Sequence, residues 1–154
     1  MSHVFLRYVF GIQPLFLVLM PDVTSACEKT NIKNNYLFVL RHHLEKLVNV
    51  SEQLDGECRQ NNTEELNCTS LKKIYRMACP LNRLSNCVNS TDLKNSMNSV
   101  YDQTLGLIKP CLTDKQKKCH QGTDACQRSN SAVLCRIKKS ISKYKLCWMQ
   151  FLKS

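Results

Sequence analysis

The sequence has none of the short signatures of common enzyme chemistry. Neither C-x-x-C nor H-E-x-x-H nor G-x-S-x-G occurs in it, so redox, zinc-protease and hydrolase activities lack their usual support. His42 and His43 are adjacent and would point about 100° apart on a helix, which excludes the i, i+4 pair that a metal favours. No enzyme, metal site or cofactor is expected. Beyond Met20 no run approaches the roughly 20 apolar residues that span a bilayer. Period-two alternation of apolar and polar residues is also missing, which leaves helical periodicity unopposed. Acidic residues are few, 12 Asp+Glu against 22 Lys+Arg, for a formal net charge of +10.

The N-terminus indicates a compartment. Arg7 precedes an apolar run from Tyr8 to Met20, broken by Gly11, Gln13 and Pro14. Pro21 and the small residues Val23, Ser25 and Ala26 then offer a cleavage site. Residues 1–25 are expected to be a cleaved secretory signal peptide, and 26–154 a single secreted domain. A membrane anchor is the alternative, disfavoured because the run falls short of about 20 residues. Cleavage would remove Arg7 and Asp22 and leave the net charge unchanged. A secreted basic protein meets sulfated glycans and anionic cell surfaces before nucleic acid, so nucleic-acid binding is a poor expectation. In an oxidising compartment the 10 cysteines read as disulfides, each stabilising by about 2–4 kcal/mol.

Four stretches place apolar residues at three- and four-residue steps, the mark of a helix with one buried face. The first carries Leu37, Leu40, Leu44, Leu47 and Leu54 and stops at Asp55 and Gly56. The second carries Leu71, Ile74, Ala78, Leu81 and Val88 behind the cap candidates Asn67, Thr69 and Ser70, and Pro80 should kink or split it. The third starts at the cap candidates Thr91 and Asp92, carries Leu93, Met97, Val100, Leu107 and Ile108, and stops before Pro110. The fourth, Leu134, Ile137, Ile141, Tyr144, Trp148 and Phe151, follows the cap candidates Ser129 to Ser131. The fold class is all-α, a four-helix bundle.

Connection lengths predict its topology. About a dozen residues join the first helix to the second, a few join the second to the third, and nearly twenty join the third to the fourth. At roughly 3.3 Å per extended residue, the long connections can return along a helix and the short one cannot. That predicts an up-up-down-down bundle, with up-down-up-down as the alternative because it needs only short loops. In the first topology the start of the first helix and the end of the fourth share one end, as do the start of the second and the end of the third. Cys27 is then expected to pair with Cys147, and Cys68 with Cys111. Cys58 and Cys135 meet at the opposite end. Cys79 and Cys87 would lie about 12 Å apart on a continuous helix, beyond disulfide reach. The last long connection should climb past the second helix, bringing Cys119 to Cys79 and Cys126 to Cys87.

The leader from His3 to Pro21 reads HV, RY, FG, PL, LVL and P. The C-terminal Leu134-Cys135-Arg136, Ile137, Leu146-Cys147-Trp148 and Phe151-Leu152 place two cysteines twelve apart, with Trp after the second. Together with Tyr36, Val39, Leu40, Leu44, Glu45 and Leu47, and with Val88-Asn89-Ser90-Thr91, these residues resemble the interleukin-7/interleukin-9 family of helical cytokines. Similarity is clear at both ends of the chain and faint between Gly56 and Asn130. The resemblance implies the short-chain cytokine bundle and the same three pairs, Cys27–Cys147, Cys58–Cys135 and Cys68–Cys111. Cys79, Cys87, Cys119 and Cys126 depart from the family.

The resemblance further implies a secreted, monomeric growth factor. Such a factor would bridge the interleukin-7 receptor alpha chain, through the first and third helices, and the common gamma chain, through the first and fourth. Janus-kinase signalling and lymphocyte growth, survival or development would follow. It places Trp148 at the gamma chain, where core packing is the bland alternative, and His43, Glu45 and Lys46 at the alpha chain, where an ordinary polar face is. It also supports heparan sulfate binding by Arg136, Lys138, Lys139, Lys143 and Lys145, with Lys115, Lys117 and Lys118 before them. Their simpler reading is a solvated helix face. N-x-S/T sequons mark Asn49, Asn61, Asn67 and Asn89 for glycosylation. A function of another class, a cationic disulfide-rich host-defence protein acting on membranes, fits the charge as well.

Overall fold

A computed structural model describes residues 26–54, 58, 65–119, 126 and 130–154. The expected leader, the Asp55-Gly56 stop, the Asn61 sequon and the cap candidate Ser129 lie outside these residues. Among the described residues there is no strand, and no helix is long and apolar enough to cross a membrane. The first bundle helix is built in three pieces: α1 (Lys29–Asn35), a π turn (Tyr36–Leu40) and α2 (Arg41–Glu52). It is followed by α3 (Leu71–Ser85), α4 (Thr91–Ile108) with a 3-10 turn at Lys109–Cys111, and α5 (Asn130–Lys153).

The π turn corrects the expected apolar stripe. Leu37, assigned to the core from its spacing, is 49% exposed. The buried line is instead Ile32, Tyr36, Leu40, Leu44, Leu47 and Ser51. Its steps are mostly of four residues, and in an α-helix each such step overshoots a full turn by about 40°. The wider i→i+5 turn takes up that drift, so one face stays on the core through all six positions and Leu37 rotates outward.

The other helices follow their periodicity more closely. α3 buries Ile74, Ala78, Leu81 and Ser85, and its Ser85 hydroxyl donates to the Asn82 carbonyl at 2.7 Å. The helix runs unbroken through Pro80 rather than splitting there. α4 is capped by Ser90, one residue before the expected caps, its hydroxyl accepting from the Leu93 N–H at 3.4 Å. Thr104, a polar interruption in the α4 pattern, is fully buried. Its hydroxyl donates to the Val100 carbonyl at 2.6 Å and also hydrogen-bonds the Tyr144 hydroxyl. With Thr104's single proton committed to Val100, Tyr144 must be the donor of that second bond. Burial pushes the Tyr144 phenol up, keeping it neutral and a donor. α5 buries Val133, Ile137, Ile141, Tyr144, Cys147, Trp148 and Phe151.

The bridges fix the topology. Cys58, after α2, joins Cys135 in the first turns of α5, with Cα atoms 5.4 Å apart. Cys27, before α1, joins Cys111, after α4, at 5.5 Å. Cys68, before α3, joins Cys147, near the end of α5, at 5.0 Å. The starts of α1 and α3 and the ends of α4 and α5 therefore share one end of the bundle, the up-up-down-down arrangement. α3 packs on α4 and α5, and α2 packs on the same two from the other side.

Two expected bridges are exchanged. Cys27 was expected with Cys147 and Cys68 with Cys111, but Cys27 takes Cys111 and Cys68 takes Cys147. Depth along the bundle decides between them. Lys29 Nζ donates to the Ser154 hydroxyl at 2.8 Å and lies 5.5 Å from the Phe151 ring centroid. The chain thus enters level with the last turn of α5, and Cys27 lies farther out still. Cys147 sits a full turn inward of Phe151, about 6 Å of rise, and is fully buried. Cys68, also fully buried, reaches that depth, and its N–H donates to Gln150 Oε1 at 3.1 Å.

The remaining bridges are Cys79–Cys119 and Cys87–Cys126, with Cα separations of 5.7 and 5.0 Å. They fasten the connection between α4 and α5 along α3. The Tyr75 hydroxyl adds a third tie, donating to the Lys117 carbonyl at 2.8 Å.

Candidate receptor-docking groove

The contact between α2 and α5 is the sparsest of the four that close the bundle, and an open groove of about 500 Å³ lies over it. Two helical stripes flanking the core line it. On the first helix they include Leu37, Arg41, Glu45, Val48 and Asn49, and on α5 Lys145, Met149 and Leu152. These positions repeat at three- and four-residue steps just to one side of the buried line. Leu37 is 49% and Met149 42% exposed, so the groove offers apolar surface to solvent with ionic side chains along its rim. Arg41 Nε donates to Glu45 Oε1 at 2.8 Å across one helical turn. That bond, the main cause, raises the guanidinium pKa further above neutrality and holds the pair along one wall.

Trp148 lies behind this groove rather than in it. Its expected place at a receptor contact is corrected by its burial, with 0% of its surface exposed. The indole packs against Tyr36 with ring centroids 4.8 Å apart and meets Phe151 edge-on at 5.8 Å. Tyr36 is the residue that lines the groove. Burial, the largest influence, raises its phenol pKa, with the Arg41 charge opposing. Trp148 therefore acts on the groove by setting the position of Tyr36.

The expected alpha-chain residues divide between two sides of α2. His43 and Glu45 are about 200° apart on the helix. His43 turns toward α4, where Nδ1 lies 2.9 Å from the Ser99 hydroxyl. Glu45 turns toward α5 and the groove, and Lys46 is exposed on the outer face. The five basic residues of α5 also divide. Arg136, Lys139 and Lys143 fall within about 60° of one another, whereas Lys138 and Lys145 lie on the far side of the helix. Lys138 Nζ donates to the Leu54 carbonyl at 2.5 Å, and Lys145 lines the groove. Among the sequons, Asn49, Asn67 and Asn89 are all exposed. Sequence reasoning missed the groove because its apolar members, Leu37 and Met149, fit a helical period as well as core residues do. The four-residue spacing of Ile32, Tyr36, Leu40 and Leu44 was the available signal.

Comparison with known proteins places this geometry in context. No family model matches the chain, and no solved structure matches it. The chain is 27% identical to interleukin-7 of Sus scrofa over an alignment 175 positions long, gaps included, covering 99% of this chain and 97% of that protein. Interleukin-7 of Bos taurus is likewise 27% identical with the same coverage. Interleukin-7 of Mus musculus is 28% identical, covering 99% of this chain and 98% of its own length. Over nearly its whole length, then, the chain is similar to interleukin-7.

Proposed function

We propose that this protein is a secreted cytokine of the interleukin-7 type. It brings together an alpha receptor chain, at the α2/α4 side, and the common gamma chain, at the groove between the first helix and α5. The consequence is Janus-kinase signalling and lymphocyte growth, survival or development. The observation that carries the reading is the pair of distinct surfaces on opposite sides of α2. One carries His43 beside Ser99, the other the apolar groove with Leu37 and Met149. The protein itself performs no covalent step. A rigid, bridged bundle reduces the ordering cost of association, which leaves more of the contact energy for affinity. Glu45 and Trp148 belong to the gamma side in this scheme, Glu45 on the groove wall and Trp148 in support of Tyr36.

Residues 1–25 serve as the signal peptide, and the sequons as glycan acceptors. Arg136, Lys139 and Lys143 present the heparan sulfate face. The cationic host-defence reading is not favoured by the comparisons.

The test is binding to the two purified receptor ectodomains. Met149→Glu should abolish gamma-chain capture while alpha-chain binding persists, and Lys46→Glu with His43→Ala should do the reverse. Failure of the unaltered protein to bind either chain would reject the proposal.

A further inference from the structure

Asn49 occupies an unusual place for a glycan acceptor. It heads the triplet Asn49-Val50-Ser51 in the last turn of α2, its side chain is exposed, and it lines the groove opposite Lys145 and Met149. We infer that N-glycosylation at Asn49 is a gate on this groove. The glycosylated protein is closed to the partner that docks between the first helix and α5, and the unglycosylated protein is open to it. The inference rests on the groove being a docking face.

Three observations support the gate. First, the attachment residue is part of the groove lining, so the sugar chain begins at the docking footprint. A glycan is bulky and strongly hydrated, and it sits where a partner would have to bury Leu37 and Met149. Second, the His43 side of α2 is spared, with Lys46 one turn from Asn49 as its nearest part. His43 lies about 120° around the helix from Asn49 and is turned toward Ser99 of α4. The groove is obstructed while the His43–Ser99 part of the other face is left free, so a glycosylated molecule can occupy one receptor chain without recruiting the second. Third, the glycan cannot be added after folding. Ser51 is 6% exposed, and its hydroxyl donates to the Val48 carbonyl at 2.7 Å. The acceptor triplet is therefore legible only before α2 forms. Occupancy is set during synthesis, and the two glycoforms are distinct products rather than interconverting states.

The experiment uses the full chain secreted from a glycosylating cell line. Glycopeptide mass mapping measures occupancy at Asn49. Affinity for the alpha-chain and common gamma-chain ectodomains is then compared among the secreted protein, the same protein after enzymatic deglycosylation, and Asn49→Gln. Asn67→Gln, which removes a sequon outside the groove lining, and Met149→Glu complete the set. The expected result is a gain of about tenfold or more in gamma-chain affinity on losing the Asn49 glycan, with a much smaller change in alpha-chain affinity and no gain in Asn67→Gln. Absence of sugar at Asn49 overturns the inference. So does unchanged gamma-chain affinity in Asn49→Gln while Met149→Glu abolishes binding, an outcome that preserves the docking face and removes only the gate. If neither substitution alters gamma-chain binding, the docking face falls and the gate with it.

Discussion

Replacing Trp148 by Ala separates a residue that supports a surface from one that forms it. The indole is fully buried and wedged between Tyr36 and Phe151. Truncating such an aromatic costs about 3–5 kcal/mol through lost transfer energy and the cavity left behind. Each kcal/mol moves the Tm of a domain this size by about 4 °C, so a fall on the order of 12–20 °C is expected. Thermal unfolding followed by circular dichroism under oxidising conditions measures it directly. Trp148 is the chain's one tryptophan, so fluorescence gives an independent reading. Native emission should be blue-shifted and resistant to iodide quenching. Gamma-chain binding should fall only in step with the loss of folded protein and of Tyr36 placement, and Trp148→Phe should restore most of both. A Tm lowered by less than about 3 °C together with loss of gamma-chain binding would refute the argument, because that pattern belongs to an exposed contact residue.

Proteolysis without reduction, followed by mass spectrometry, should recover a peptide pair joining Cys27 to Cys111 and another joining Cys68 to Cys147. A Cys27–Cys147 pair would reverse the depth argument. Thr104→Val strands the buried Tyr144 hydroxyl and should cost about 1–3 kcal/mol in urea unfolding. Adding Tyr144→Phe should cost little more, whereas fully additive losses would show that the two hydroxyls do not depend on each other. On heparin resin, Lys139→Ala with Lys143→Ala should lower the salt needed for elution. Lys138→Ala, whose ammonium is held at the Leu54 carbonyl, should change it least, and equal effects would argue for diffuse charge alone.

The helices were legible because their burial follows residue spacing. Ile137, Ile141, Tyr144 and Phe151 are all buried at the positions their 3-4 steps predict. The up-up-down-down order was legible from connection lengths, since chain reach is a matter of residue count. Leu37 was misread because a π turn changes the angle per residue, and a fixed 100° wheel cannot register that. The exchanged bridges have a different cause. Topology brings four cysteines to one end of the bundle and leaves two pairings that both join neighbouring helices. Only the depth of Cys147 below the final turn separates them. The groove was the least legible feature. It arises from a loose fit between two helices, which is a property of the pair and is written in neither stripe alone.

The bridges also have a meaning for the chain as a connected object. Each of the five takes one cysteine from Cys27 to Cys87 and its mate from Cys111 to Cys147. Any cut between Cys87 and Cys111 is therefore spanned by all of them, and any single cut between Cys27 and Cys147 is spanned by at least one. A protease that severs the backbone once in this interval releases no fragment. On a non-reducing gel the nicked molecule keeps its full mass, so nicking has to be counted after reduction.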